Sequence, residues 1–319
     1  MRMNSGLLTN ARKNILKTID IAKLGQKIQG KVRDIYKQDS KRILITTDRI
    51  SAFDRVLGYI PYKGQVLNQL SQFWFEKTKD IVTNHLISTP HPNVSIVYEA
   101  EPYPVEMVVR GYISGVTNTS IWGSYEKGER IIYGIRFPEG LSKNQKLNTP
   151  VITPTTKAEH GAHDERLTEE QIIKKKLLPK KVWNEMKIVS LALYKRGNEI
   201  CKKRGLILVD TKYEFGNYKS KLVLIDEIHT PDSSRFWKAK NYKTRFNKGE
   251  EPENFDKEFF RIWYVNRGYK GDGKPPQMSK DLQTKTALRY IKIYEMITGL
   301  KFKPENYPLD SGIKKSLSA

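Results

Sequence analysis

Two acidic segments flank a polar turn in the second half of the chain. Asp210-Thr211-Lys212-Tyr213-Glu214-Phe215-Gly216 precedes residues 217–221, and Leu222-Val223-Leu224-Ile225-Asp226-Glu227-Ile228 follows them. If the turn centres on Ser220, antiparallel pairing sets Glu214 opposite Asp226, with Cα atoms about 4.5–5.5 Å apart. Both carboxylates could then hold one hard cation. A surface hairpin with a chance acidic pair is the alternative. The apolar run ending at Asp226 argues against it, because a carboxylate there is costly without a partner.

Basic and hydroxyl groups recur at other strand ends. In Gly30-Lys31-Val32-Arg33-Asp34 a glycine lets backbone amides approach a phosphate, and Lys31 and Arg33, two apart on a strand, share a face. An exposed basic hairpin is the competing reading. Thr47-Asp48-Arg49-Ile50-Ser51-Ala52-Phe53-Asp54, with Pro61-Tyr62-Lys63-Gly64 after it, places polar groups directly behind a buried strand, where ligands are met; an Asx turn would look the same. Arg110 ends an apolar strand in Val108-Val109-Arg110-Gly111-Tyr112, and its planar guanidinium suits a carboxylate or phosphate as well as a structural salt bridge. Ser233, Ser234 and Arg235 in Pro231-Asp232-Ser233-Ser234-Arg235-Phe236-Trp237 could receive a monophosphate, or the arginine could pack on its aromatic neighbours. Residues 153–164 gather Thr153, Thr155, Thr156, Lys157, Glu159, His160, His163 and Asp164. The histidine spacing is not that of a zinc helix motif, so a substrate-binding loop is expected, closing over substrate.

The elements that position these groups follow from periodicity. Residues 28–36 and 43–46 read as strands, 66–79 as a helix with Leu67, Leu70, Phe73 and Trp74 at helical spacing, and 94–98 and 107–113 as strands again. Residues 138–165 show no period and are expected to form a long loop. Thr168 and Gln171 form a capping box opening a helix that Pro179 breaks, and a second helix runs from about 180 to 204, stopped by Gly205. Strands are expected at 206–210 and 222–228, loop at 238–256 and helix at 279–300. Leu7, Leu8, Ala11, Ile15 and Ile19 mark an ordinary packed N-terminal helix, with a transit peptide as the alternative; the continuous apolar core of a secretory signal is lacking. Strands early and helices late suggest α+β architecture.

The composition narrows the function class. The chain has 319 residues, 38% hydrophobic and 10% aromatic, ample for a core. No apolar run reaches the ~20 residues of a membrane helix. The single cysteine, Cys201, excludes an internal disulfide and points to a reducing, cytoplasmic compartment. The formal charge of +22, from 57 Lys plus Arg against 35 Asp plus Glu, attracts polyanions or phosphorylated small molecules. The lysines are spread along the chain, which equally fits a lysine-biased surface, and no nucleic-acid reader motif is present.

In order, GKVRDIY, TDRISAFD, EMVVRGYISG, TPTTKAEHGAHDE, DTKYEFG and LIDEIHTPDSSRFW closely resemble the phosphoribosylaminoimidazole-succinocarboxamide synthase (SAICAR synthetase) family of purine biosynthesis, from about residue 25 to 263. The resemblance implies a two-domain α+β fold related to ATP-grasp enzymes, mainly antiparallel sheets with helices, with an ATP-binding domain over 1–105 and the metal hairpin and substrate site in 106–319. It implies ligation of the carboxylate of the ribonucleotide CAIR to L-aspartate, with ATP converted to ADP and phosphate through an acyl phosphate. Gly30, Lys31 and Arg33 would meet the ATP phosphates, Glu106 would border adenine, and Glu214 and Asp226 would hold Mg2+. Arg110 and Arg235, with Ser234, would take the phosphate and carboxylate of CAIR; Lys157, His163 and Asp164 would line the CAIR–aspartate region; Lys63 or Ser51 would reach aspartate. Many members carry Ser where this chain has Val116, so Thr117, Thr119 or Ser120 would replace that phosphate contact. The partners implied are small molecules, without nucleic acid or membrane, in a monomer or small homo-oligomer. A basic nucleic-acid-binding protein and a small-molecule kinase of related architecture are the competing classes, the kinase consuming ATP without aspartate.

Overall fold

The computed structural model describes residues 5–115, 119–157 and 164–318. Its strand ladders are antiparallel, and helices cover them, giving the expected α+β class. A five-stranded sheet lies within residues 27–98, in the order Lys27–Gln29, Arg33–Gln38, Lys41–Thr46, Val94–Tyr98, Leu86–His91. The run expected as one strand over 28–36 is instead a hairpin: it breaks at Gly30, whose N–H donates to the Arg33 carbonyl at 2.8 Å. The β-branched residues on both sides hide that turn in the sequence.

A seven-stranded sheet is built around the 13-residue strand Leu206–Tyr218. Val105–Ile113 pairs along its first half, Lys221–Ile225 along its second, and Ser234–Lys238 on its other edge. The helix Lys180–Lys203 packs on this sheet through Trp183, Met186 and Leu193, and the Tyr194 hydroxyl donates to the Leu208 carbonyl at 2.8 Å. The capping box at Thr168 and Gln171 is present with both reciprocal hydrogen bonds.

Two expected loops carry regular structure. Within 138–165 the strand Gln145–Ile152 pairs with Val105–Ile113, and Thr155–Thr156 pairs at Glu106 and Val105. The register of Gln145–Ile152 shifts between Lys146 and Val151, so no alternation of apolar residues survives to be read. Within 238–256 the helix Ala239–Asn247 buries no residue; it therefore lacks the apolar stripe by which a helix is recognised, and leans on the sheet by stacking Tyr242 on Trp237.

The chain's end returns to its beginning. The helix Lys280–Thr298, capped by Ser279 and ended by Gly299 at φ 74°, packs against Lys63–Thr78. Beyond it, the Tyr307 hydroxyl donates to Asp48 Oδ2 at 2.7 Å and Gln65 Nε2 to the Lys303 carbonyl at 2.8 Å. Among the described residues no helix is long and apolar enough to cross a membrane.

The helix Lys63–Thr78 begins where backbone passes backbone. A Cβ on Gly64 would lie 2.3 Å from the Thr46 carbonyl oxygen and 2.6 Å from Asn93 Nδ2. Gly64→Ala is therefore expected to destabilise the fold by about 1–3 kcal/mol, measurable by denaturant unfolding; unchanged stability would mean the two segments can move apart freely.

Candidate active site

The two sheets face each other across a cleft of about 450 Å³. One wall is apolar, formed by Ile35, Leu44, Val97, Ala100 and Ile225. The remainder is charged, and the sequence explains why these charges converge. The Gly30 turn brings Lys31 and Arg33 to the mouth of the first sheet, the strand Arg49–Ala52 brings Ser51, and the central strands of the second sheet bring Glu106, Lys212 and Glu214. All of these line the cleft, as do Lys157, Asp164 and Asp226.

Each cation is met by carboxylate. Lys31 Nζ lies 2.7 Å from Asp54. Arg33 spans two acids, with Nη1 at 2.5 Å from Asp226 and Nη2 at 2.6 Å from Glu227. Lys212 bridges Glu106, at 2.5 Å, and Glu214, while Lys157 holds the other oxygen of Glu214 at 2.6 Å. These pairs set the protonation states. Burial alone would raise Glu214, but the ammonium groups of Lys212 and Lys157 outweigh it and hold the carboxyl well below the usual range. Glu106 is pushed up to about 7, by burial first, with Lys212 opposing and Glu214 adding repulsion. His85, buried near Arg33, is pushed down to about 3 and stays neutral.

The acidic hairpin differs from expectation by one residue. Glu214 pairs with Ile225, not Asp226, because the turn is the two-residue Lys219-Ser220, both at positive φ (51° and 60°), rather than one centred on Ser220. A two-residue turn of this hand matches the twist of the strands it joins. A slip of one would turn Asp226 to the opposite face in a regular strand; instead the strand ends at Ile225, and Asp226, at φ 64°, lines the same cleft as Glu214. The convergence therefore survives, by a different geometry.

Four further assignments change. Lys63 is fully buried, its Nζ 2.8 Å from Asp232 and 5.9 Å from the Tyr290 ring centroid, so it positions Asp232 rather than reaching substrate. Ser234 turns inward, donating to Thr211 Oγ1 at 2.8 Å, and Ser233 is the serine that lines the cleft. Arg110 and Arg235 converge, as expected of a shared anion site, but away from this cleft and on a protein carboxylate. Arg110 Nη1 is 3.2 Å from Asp210 Oδ2, which Arg235 also holds, while Arg110 Nε donates to Thr153 Oγ1 at 2.7 Å. Arg235 borders a second cavity of about 220 Å³ with Ser114 and Gly115. Thr117, Val116 and His163 lie outside the described residues. Of the proposed replacements for serine at 116, Ser120 accepts from the Gly123 N–H as a helix cap, and the Thr119 carbonyl accepts from Arg110.

Sequence reasoning assigned nothing to Glu227, Asp232, Lys257 or Arg261, all of which line the cleft. Glu227 could have been found from the doubled acid ending an apolar run. Lys257 and Arg261 follow a segment read as loop, and nothing local distinguishes them from the many other lysines and arginines.

A charged cleft with one apolar wall thus lies between the two antiparallel sheets. Residues 26–278 match the SAICAR synthetase family. The chain is 52% identical over 287 residues to the phosphoribosylaminoimidazole-succinocarboxamide synthase of Legionella pneumophila strain Lens, covering 89% of this chain and 91% of the relative. It is 46% identical to the chloroplastic synthase of Arabidopsis thaliana, over 96% of this chain and 74% of that one. Among solved structures, the Saccharomyces cerevisiae SAICAR synthase complexed with SAICAR superposes with a TM-score of 0.77 at 30% identity, covering 90% of this chain and 99% of that one. A SAICAR synthetase in complex with ADP gives a TM-score of 0.66 at 26% identity, covering 87% and 100%. This chain belongs to the SAICAR synthetase family.

Proposed function

We propose that the protein joins CAIR to L-aspartate at the expense of ATP, giving SAICAR, ADP and phosphate, in purine biosynthesis. The observation that carries this reading is the convergence of Lys31, Arg33, Lys157, Glu214 and Asp226 on one cleft with an apolar wall, in a chain half identical to named synthases. The cytoplasm is the proposed compartment, in keeping with the single, buried thiol of Cys201.

ATP would lie with its base against Ile35, Leu44, Val97 and Ile225 and its phosphates toward the Gly30 turn. Lys31 and Arg33 are charge-paired in the protein, so phosphate oxygens would exchange with carboxylates already at 2.5–2.7 Å. That exchange keeps the cations placed before the substrate arrives, which is what positioning catalysis requires.

Mg2+ asks for only one or two protein carboxylates beside substrate phosphates. Among the described residues no three His, Cys, Asp or Glu side chains form a closed metal cage, but Glu214, held ionised, and Asp226 supply hard oxygen donors to one cavity. They would hold the ion, which when bound neutralises charge on the transferring phosphoryl group. The CAIR carboxylate would attack the γ-phosphate to form an acyl phosphate, and the neutral amine of aspartate would then displace phosphate. Lys157 and Asp164 border this region; Arg110 and Arg235 would bind CAIR's phosphate after exchanging Asp210 for it. No protein nucleophile is needed.

ADP release measured with CAIR, with and without L-aspartate, tests the reading. Sustained turnover should require both. Turnover with CAIR alone at the full rate would identify a kinase or ATPase instead.

A further inference from the structure

The strands Arg49–Ala52 and Arg55–Tyr59 form a two-stranded sheet of their own, and Ser51, Ala52, Phe53 and Asp54 at its tip line the cleft. A lone hairpin is marginally stable, so the place of that tip depends on what packs against it. The tip is also strained. Phe53 and Asp54 lie at φ 53° and 59°, in the left-handed region, and neither is the glycine or asparagine that enters it at little cost. Asp54 ends 2.7 Å from Lys31 Nζ, with 33% of its side chain and 43% of the lysine's exposed. A pair so exposed is too weak to hold either partner in place, so the backbone must hold Asp54.

That support comes from residues 266–279, an irregular segment between the helices Glu258–Val265 and Lys280–Thr298. Tyr269 is 3% exposed and meets Phe53 edge-on, with ring centroids 5.8 Å apart and planes at 84°. It is fixed in turn by Tyr264, whose ring lies 5.8 Å away and whose carbonyl accepts the Tyr269 N–H at 3.1 Å. The Tyr269 hydroxyl donates to the Gly271 carbonyl at 3.2 Å. Gly271, at φ 122°, passes directly over the turn: a Cβ there would lie 3.2 Å from Phe53 Cβ, and Phe53 is its only neighbour within 4 Å among the described residues. Lower on the hairpin, Arg55 Nη1 donates to the Gly273 carbonyl at 3.2 Å, and the Tyr264 hydroxyl to the Leu57 carbonyl at 3.4 Å.

We propose that Tyr269 and Gly271 are positioning residues for the nucleotide half of the reaction, locking Phe53 so that the strained turn aims Asp54 at Lys31. The proposal rests on the ligase reading above, which sets the ATP phosphates at the Gly30 turn. Stability alone would be served by the lower contacts, at Arg55 and Leu57, and by Gly or Asn in the turn. The tip contacts are made where the backbone is strained and where the side chains enter the cleft. Strain enforced from outside at a cleft-lining turn fixes a geometry that the turn would not keep by itself. With Phe53 released, the turn would relax, Asp54 would swing, and Lys31 would lose its fixed station before ATP arrives.

The test measures ADP release for Tyr269→Ala, Tyr269→Phe and Gly271→Ala, each made in the wild-type chain and in Asp54→Asn. Small misplacements at a reacting centre cost up to about 100-fold, so kcat/KM for ATP should fall about 10- to 100-fold in Tyr269→Ala and about 3- to 10-fold in Gly271→Ala. Tyr269→Phe keeps the ring and should stay within about threefold, as should CAIR affinity by calorimetry in all three variants. In Asp54→Asn, Tyr269→Ala should cost less than about threefold more, because the two residues act as one unit. A merely structural role would give the same factor in both backgrounds. Gly271→Ala touches only Phe53 and keeps the test valid if Tyr269→Ala folds poorly. Equal factors in the two backgrounds, equal losses for CAIR and ATP, or a Tyr269→Phe loss matching that of Tyr269→Ala overturns the positioning role and leaves the ligase reading intact. A wild-type protein that turns over ATP and CAIR without incorporating aspartate overturns the ligase reading, while the coupling of Tyr269 to Asp54 is still read from ADP release.

Discussion

Glu214→Gln is expected to lower kcat by about two to three orders of magnitude, the loss typical when a preorganised charge contact at a reacting centre is removed. The substitution keeps shape and removes one negative charge. That charge has two tasks in the geometry observed. It holds Lys157 and Lys212 in place, one on each oxygen, and it offers a hard donor toward the phosphates. Glutamine retains an oxygen but leaves the partly buried Lys212 and the more exposed Lys157 with less compensation, and Glu106 would become the main partner of Lys212. Asp226→Asn acts on the other side, loosening Arg33, which would then be held by Glu227 alone; a smaller loss, about tenfold or more, is expected there. ADP release measured across a magnesium titration checks both, with circular dichroism to verify the fold. Near-normal turnover with an unchanged magnesium dependence would refute the assignment of these carboxylates.

The difference between these two acids shows how far the sequence could be read. That Glu214 and Asp226 share a site follows from an apolar strand ending in acid behind a polar turn, and the structure places both on the same cleft. Their pairing does not follow, because register depends on whether the turn holds two residues or three. Lys219 and Ser220 both adopt positive φ, although neither is the Gly or Asn that announces such a turn. The same limit appears at Lys63. Its position behind Tyr62 suggests an accessible lysine, and only the return of the helix Lys280–Thr298, bringing Tyr290 and covering Asp232, makes it a buried one. Contacts between residues more than two hundred apart leave no local trace.

Edge structure was the other blind spot. The strand Gln145–Ile152 and the helix Ala239–Asn247 are held from one side, by main-chain pairing with Val105–Ile113 in the first case and by aromatic stacking in the second. Neither needs an apolar period, so neither displays one. The buried elements, by contrast, must display it: the helix Lys63–Thr78 buries Leu67, Leu70 and Trp74 at the helical spacing the sequence shows.

Arg110→Lys and Arg235→Lys should each weaken CAIR binding by about 10- to 100-fold while ATP binding changes by less than about threefold, because lysine keeps the charge but loses the planar two-point contact. The structure sharpens this expectation. Arg110 is buried and uses its whole fork, with Nε on Thr153 Oγ1, Nη1 on Asp210 and Nη2 on the Thr119 carbonyl at 3.1 Å. Lysine would satisfy one of these acceptors and strand the others. Arg235 stands against Gly115, where a Cβ would come within 2.7 Å of Nη2 and where φ is +100°, so the chain passes over the guanidinium as closely as backbone allows. A shorter, unbranched ammonium would leave that passage unsupported. Both arginines share Asp210, with Glu258 3.8 Å from Arg235 as a further carboxylate, so an incoming phosphate monoester would exchange with Asp210 on the two guanidinium groups. Neither guanidinium borders the cleft assigned to ATP, which is why nucleotide affinity should be spared. Isothermal calorimetry with each substrate separately makes the comparison. Equal losses for CAIR and ATP would place both arginines in a general scaffold role, and unchanged CAIR affinity would place the ribonucleotide phosphate elsewhere.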